Sequence, residues 1–422
     1  MDDPACSCTT PVPAHGNLRG RQRRKLRPRA LRLVAAGAAA AAALAACGGS
    51  DDDDDATTAL REQGRQIFRH DTFGDERLWT DTLRLHEVVA AAVDPTTALA
   101  VGLKLDAQAL PQSVVDGITS GSISLTDPAT TLALLKLGAV VGLEGQVETV
   151  GGVDKLTRLG ITCALCHSTV DDSFAPGIGK RLDGWPNRDL NPGAIIALSP
   201  AIDAATKATL NAWGKGKFDP RHNVDGISNP VVIPPAYGLR GIHRITFTGD
   251  GDEIAYWNRY VGVVEMGGEG TFSDARLPLS VTNGTRDLIG SKLAALQAYQ
   301  LSLTAPPPPS ASFDPVAAAR GKAVFDGAGQ CATCHSGALF TDANSRLHPT
   351  GASAAADQAY ALRSATKQWR TSPLAGVWQH PPYFHDGSAA TLQAVVQGYD
   401  RQRSLGLSTQ QMADLVQYLK SL

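Results

Sequence analysis

The 422-residue sequence is poor in aromatic side chains, at 6%, and has only three methionines. No stretch of it approaches the roughly 20 apolar residues that a membrane-spanning helix requires. It also lacks a basic excess, with 39 Lys and Arg against 41 Asp and Glu. The basic residues are unevenly placed: residues 1–46 hold eight against Asp2 and Asp3, which leaves 31 basic and 39 acidic side chains in the rest. An acidic body argues against nucleic acid as a partner, because phosphate backbones are bound by concentrated Lys and Arg. Charged residues at 19% and hydrophobic ones at 43% exclude a wholly disordered chain. With 42 Gly and 25 Pro, many turns are expected, over a length that allows several domains.

What is present begins with a leader. A basic stretch ends at Arg32, and Leu33 to Ala46 are all Leu, Val, Ala or Gly. Leu44-Ala45-Ala46-Cys47 closes that stretch, and Gly48-Gly49-Ser50 follows. A basic start, a short apolar run and small residues before a cut make a secretory signal. Leu-Ala-Ala-Cys in that place resembles the bacterial lipobox, whose Cys is acylated and becomes the first mature residue. The expectation is a lipoprotein signal peptide over 1–46 and a periplasmic chain held to a membrane by lipid on Cys47. An acidic tether over 47–58 follows, because Asp51 to Asp55 are five like charges in a row.

Two motifs carry the chemistry. Cys163-Ala164-Leu165-Cys166-His167 and Cys331-Ala332-Thr333-Cys334-His335 both read C-x-x-C-H, the attachment site of c-type haem. Two thiols at that spacing can add to the two vinyl groups of one porphyrin, and the adjacent His then reaches the iron as proximal ligand. A zinc site or a redox disulfide would not call for His directly after each pair. The expected cofactors are therefore two covalently bound haems c. The seven cysteines then divide without remainder: Cys6 and Cys8 in the leader, Cys47 for lipid and four for haem.

The flanks of the motifs repeat. Gln63-Gly64-Arg65-Gln66-Ile67-Phe68 has the same Gly-x-x-apolar-Phe form as Gly321-Lys322-Ala323-Val324-Phe325. Leu296-x-x-Tyr299-x-x-Ser302-Leu303 matches Leu415-x-x-Tyr418-x-x-Ser421-Leu422. The fold class is accordingly mainly α, with two cytochrome c-like haem domains in tandem over 59–305 and 313–422. Pro306 to Pro309 stiffen the linker, 306–312, between them. The first domain carries an insertion at about 71–155, with helix-like runs at Leu83–Val93 and Thr130–Leu143.

After the second motif the chain reads Arg370-Thr371-Ser372-Pro373-Leu374-Ala375-Gly376-Val377, then Pro382-Tyr383-Phe384-His385-Asp386-Gly387 and Thr391-Leu392-Gln393-Ala394-Val395-Val396. This series resembles the bacterial di-haem cytochrome c peroxidase and MauG family, densely over 315–422 and patchily over 160–305. The resemblance implies an electron-transfer haem at His335 and a peroxide-activating haem at His167. It also implies a distal ligand to the second iron fourteen positions after His385, which is Tyr399. His385 is the rival ligand, with His348 and Met412 behind it. Val264-Glu265-Met266-Gly267 is similar to the family's E-M-G segment, which makes Glu265 the acid–base carboxylate for O–O cleavage. Met266 offers the alternative of a thioether ligand that closes the first iron.

The departures are informative. Where the family has an inter-haem Trp in F-W-D-G, this chain has Phe247-Thr248-Gly249-Asp250-Gly251, leaving Trp257 or Trp213 as substitutes. No His stands at the usual interval after His167 for a displaceable ligand. Asp183 and Trp185 lie there instead, with His222 and His243 further on. A calcium ion between the domains is a further implied group, with Asn229 as a matching ligand. The expected function is a peroxidase-like di-haem oxidoreductase that uses peroxide or dioxygen and a redox protein partner. The alternatives are an electron-transfer cytochrome without peroxidase activity and an oxygenase-type relative on the same scaffold.

Overall fold

Two helix pairs frame the molecule. In the computed structural model, which describes residues 51–350 and 355–422, the helix Asp51–His70 packs on Leu293–Gln300, and Pro315–Asp326 packs on Thr409–Lys420. The expected signal peptide and Cys47 lie outside the described residues. Each crossing is made at a glycine. A Cβ on Gly64 would stand 1.9 Å from the Ala295 carbonyl oxygen, and one on Gly321 would stand 2.0 Å from that of Asp414. The following aromatic contacts are equivalent too: Phe68 meets Tyr299 edge-on at 5.6 Å, and Phe325 meets Tyr418 at 5.2 Å. Ser302 and Ser421 each return a hydroxyl hydrogen bond of 2.6 Å to the carbonyl of that tyrosine. The two sequence repeats are thus the two sides of one recurring helix crossing.

The expected tether needs correcting. Helix already begins at Asp51 and runs through the acidic residues to His70. Acidic residues at a helix start are favoured by the positive end of the helix dipole, which offsets their mutual repulsion.

Residues after His70 build a separate core around Trp79, Leu134, Leu135 and Ile178. Short helices Leu85–Ala92, Pro95–Ala100, Gln112–Ser120 and Pro128–Lys136 surround it. Asp94 and Asp127 cap two of them, each accepting a backbone N–H ahead of a first-turn proline. The expected helix over Thr130–Leu143 stops early, at Lys136, because Gly138 turns left-handed with φ +63°. Leu143 instead opens a strand, Leu143–Val150, paired antiparallel with Val153–Ile161. The turn is Gly151-Gly152, both at positive φ, a pairing suited to a two-residue hairpin. This hairpin leads the chain directly into Cys163.

Among the described residues every sheet is a single pair of strands, so helices supply the layers and the fold is mainly α. The described residues form one compact unit. The four prolines have no regular secondary structure and are pinned by Trp378, whose indole N–H donates to the Pro306 carbonyl at 3.2 Å. Arg363, beyond the linker, reaches back to the carboxylates of Asp219 and Asp225 at 2.7–3.1 Å. Tyr237 reaches forward, donating to the Gly376 carbonyl at 3.0 Å.

Candidate haem sites

Both C-x-x-C-H motifs end in a histidine prepared in the same way. His167 lies 3.1 Å through Nδ1 from the Pro234 carbonyl, and His335 lies 3.1 Å through Nδ1 from that of Phe340. A carbonyl can only accept, so Nδ1 carries the proton and Nε2 keeps the lone pair that a metal needs. Burial holds both imidazoles in the neutral form, with His167 pushed down to about 4. Burial likewise pushes the thiols up, to about 12 for Cys163 and Cys166 and about 11 for Cys331. A reactive or zinc-bound pair needs the opposite, a stabilised thiolate. All four cysteines are free of disulfides. The donor set therefore fits covalent haem.

The second motif opens on a cavity of about 690 Å³. Cys331, Cys334 and His335 line it from one side and Tyr399, on the helix Leu392–Arg403, from another. Arg188, Pro234 and Tyr237, which precede the linker, complete the wall. Arg188 and Arg370 line the same cavity with buried guanidinium nitrogens that make no hydrogen bond: Nε and Nη1 of the first, Nε of the second. Burial lowers both guanidinium pKa values to about 10. Unpaired cations in a poorly solvated cavity call for an anionic occupant. The two carboxylates of a haem supply that charge, and the volume is that of a cofactor pocket.

The candidate distal ligands separate by what they already touch. Tyr399 faces the cavity beside Phe384, 5.8 Å away edge-on. Burial raises its hydroxyl pKa, and the Arg403 charge pulls it back. His385 lines the cavity too, its ring packed 4.6 Å from Trp369 and 5.6 Å from Tyr360. His348 is engaged through Nε2 with Asp342 at 3.1 Å and Thr371 at 3.0 Å. Met412 packs against the core that includes Phe325 and Leu415 and does not itself line the cavity.

At the first motif the chain brings Glu265 to Cys166. Glu265 ends the π-helical turn Val261–Glu265, and its charge is the largest electrostatic influence on the Cys166 thiol after burial. Its Oε1 is buried without a hydrogen-bond partner. Burial lifts the carboxyl to about 8, against a downward pull from Arg221 and a further rise from Asp219. Met266 is 3% exposed, in the core that also takes in Ala164 and Cys163, and its carbonyl accepts the Trp79 indole N–H at 3.0 Å.

The substitutes for an inter-haem Trp are placed elsewhere. Trp257 stacks on Tyr260 at 4.7 Å, Trp213 packs on Phe218 and His222, and neither lines the cavity. Thr248 is fully buried and donates to Asp250 at 2.7 Å. Asp183 is taken up by Arg69, Ser168 and Tyr299, and Trp185 meets Trp378 edge-on. His222 donates Nδ1–H to its own loop at the Ile227 carbonyl, 3.0 Å away, and His243 is exposed. The Asn229 backbone N–H donates to Asp219 at 2.6 Å. Among the described residues, the group whose His, Cys, Asp or Glu ligand atoms converge is Cys334, Asp342 and His348, which does not include Asn229. Arg188 and Arg221 had no signal in the sequence. Arg370 stood inside the R-T-x-x-L series but drew no role.

Residues 318–422 match the cytochrome c family. A 168-residue stretch is 31% identical to the methylamine utilization protein MauG of Methylorubrum extorquens. Over that stretch the chain is similar to MauG. The match covers 33% of this chain and 46% of that protein, so the chain spans about half the length of its curated relative. Solved structures that align in part are a Kuenenia stuttgartiensis hydrazine synthase and a MauG-like protein associated with microbial copper homeostasis. The first is 24% identical over 46% of this chain and 73% of its own, with a TM-score of 0.31. The second is 23% identical over 33% and 57%, with a TM-score of 0.25. The cytochrome c match makes haem c the cofactor of the C-terminal part.

Proposed function

We propose that the chain is an exported, lipid-anchored di-haem oxidoreductase of the peroxidase kind, with cytochrome c-like units over 59–305 and 313–422. Cys163, Cys166 and His167 hold one haem and Cys331, Cys334 and His335 the other, with Tyr399 as distal ligand to the second. Bound haem supplies an iron that takes peroxide or dioxygen and exchanges electrons. The chain's part at the first site is to hold and move a proton. Glu265 has its Oε1 buried, and its carboxyl near 8 leaves it poised to accept a proton from one peroxide oxygen and return it to the other. His167 is oriented by its hydrogen bond to Pro234. Arg188 and Arg370 hold the carboxylates of the second haem. A redox protein exchanges electrons with the C-terminal unit.

The observation that carries this reading is the buried, unpartnered Oε1 of Glu265, whose charge acts on the Cys166 thiol. Its test is the absorption spectrum of the ferric holoprotein before and after hydrogen peroxide, with carbon monoxide added to the reduced form. A high-spin component that responds to peroxide is expected. Glu265→Gln should slow that response by about 100-fold or more while both haems stay attached. A wholly low-spin protein, inert to both ligands, would leave an electron carrier instead.

A further inference from the structure

Arg221 precedes the short helix His222–Asp225 and is 4% exposed. Its loop is fastened to the turn that carries Glu265. Tyr260, at the start of that turn, donates its hydroxyl to the Pro220 carbonyl at 2.7 Å. Asn223 donates its side-chain amide to the Val264 carbonyl. Arg221 therefore stands between two anchor points on the Glu265 element.

The guanidinium is held by Asp250 and also engages Tyr360. Nη2 donates to Asp250 at 2.5 Å, and Tyr360 lies under the group, its ring centre 5.2 Å from Cζ. Nε and Nη1 are buried and have no hydrogen-bond partner. Asp219 is not the missing acceptor, since its oxygens take Arg363 and the backbone N–H groups of Arg221 and Asn229. On the facing element Glu265 Oε1 is also buried and unpartnered. Two orphaned donors and one orphaned carboxyl oxygen in a single interior are costly unless something completes them.

We propose that Arg221 and Glu265 together bind a small anionic or oxygen-bearing ligand at the first haem motif. Arg221 donates Nε–H and Nη1–H, and Glu265 shares a proton on the other side. The planar guanidinium fork suits this, as it presents fixed donors and stays charged when buried. The fitting class is hydroperoxide, with fluoride and azide as inert stand-ins. The inference rests on the peroxidase reading above and adds a ligand-binding residue to it.

The test uses the full holoprotein. Fluoride and azide are titrated into the ferric form, and carbon monoxide, a weak acceptor, into the reduced form, each followed by absorption. Arg221→Gln should weaken fluoride binding by about tenfold or more, equivalent to about 1.4 kcal/mol, while carbon monoxide affinity and haem content stay close to native. Because Asp250 would be left unpaired, Arg221→Gln with Asp250→Asn is made alongside it and should give the same loss. Native fluoride affinity in either folded variant would overturn the proposal, and so would an equal loss for carbon monoxide. A native protein that binds none of the three ligands would overturn the peroxidase reading itself.

Discussion

Glu265 and Arg221 show how little of a buried site is written in any one segment. The two C-x-x-C-H motifs are contiguous, so their chemistry was legible at once. Glu265 could be singled out only through a resemblance, since a glutamate in a Gly-rich stretch has no signal of its own. Arg188, Arg221 and Arg370 became informative only when folding left their nitrogens without partners. One pH effect follows at this scale. With its carboxyl near 8, Glu265 is mostly protonated at pH 7, and only the carboxylate can accept a proton. On the proposed peroxidase reading, the peroxide rate should therefore rise about tenfold per unit up to about pH 8 and level off above it. Stopped-flow rates between pH 6 and 9 check this, and Glu265→Gln should flatten the profile.

At the scale of elements, the repeats translated into structure almost unchanged. Gly64 and Gly321 sit where one helix lies directly on the backbone of another, and no side chain there can give way. Gly64→Ala and Gly321→Ala should each destabilise the holoprotein by about 1–3 kcal/mol or more, through overpacking. Thermal unfolding measures the loss, and an unchanged midpoint would mean that the crossings are looser than described. The element that the sequence reading missed is the Leu143–Ile161 hairpin. Gly151-Gly152 is a recognisable turn signal, but the apolar run before it continues a helical pattern past Lys136. Only the left-handed Gly138 ends that pattern.

The whole molecule is tied together by charges that no linear pattern announces. Arg363 has 8% of its side chain exposed and Asp219 none, and they join parts of the chain on either side of the four prolines. Replacing Arg363 by Met leaves a buried carboxylate without its cation, which should cost about 3–5 kcal/mol. Denaturant unfolding should then separate into two transitions, one for each side of the linker. A single transition at the native midpoint would rule out the clamp. Burial should also make the native clamp insensitive to salt, unlike exposed pairs such as Lys322–Asp326.

Pro234 belongs to both sites. Its carbonyl fixes the His167 ring, and the same residue forms part of the wall of the cavity at His335. A chain cut at the prolines, where the sequence invites a boundary, would strip the second pocket of Pro234, Arg188 and Tyr237 together. The C-terminal piece would then be a cytochrome with one face open to water, and its affinity for electrons would differ from that of the intact protein. The two C-x-x-C-H segments are better regarded as neighbours sharing a party wall than as separable modules.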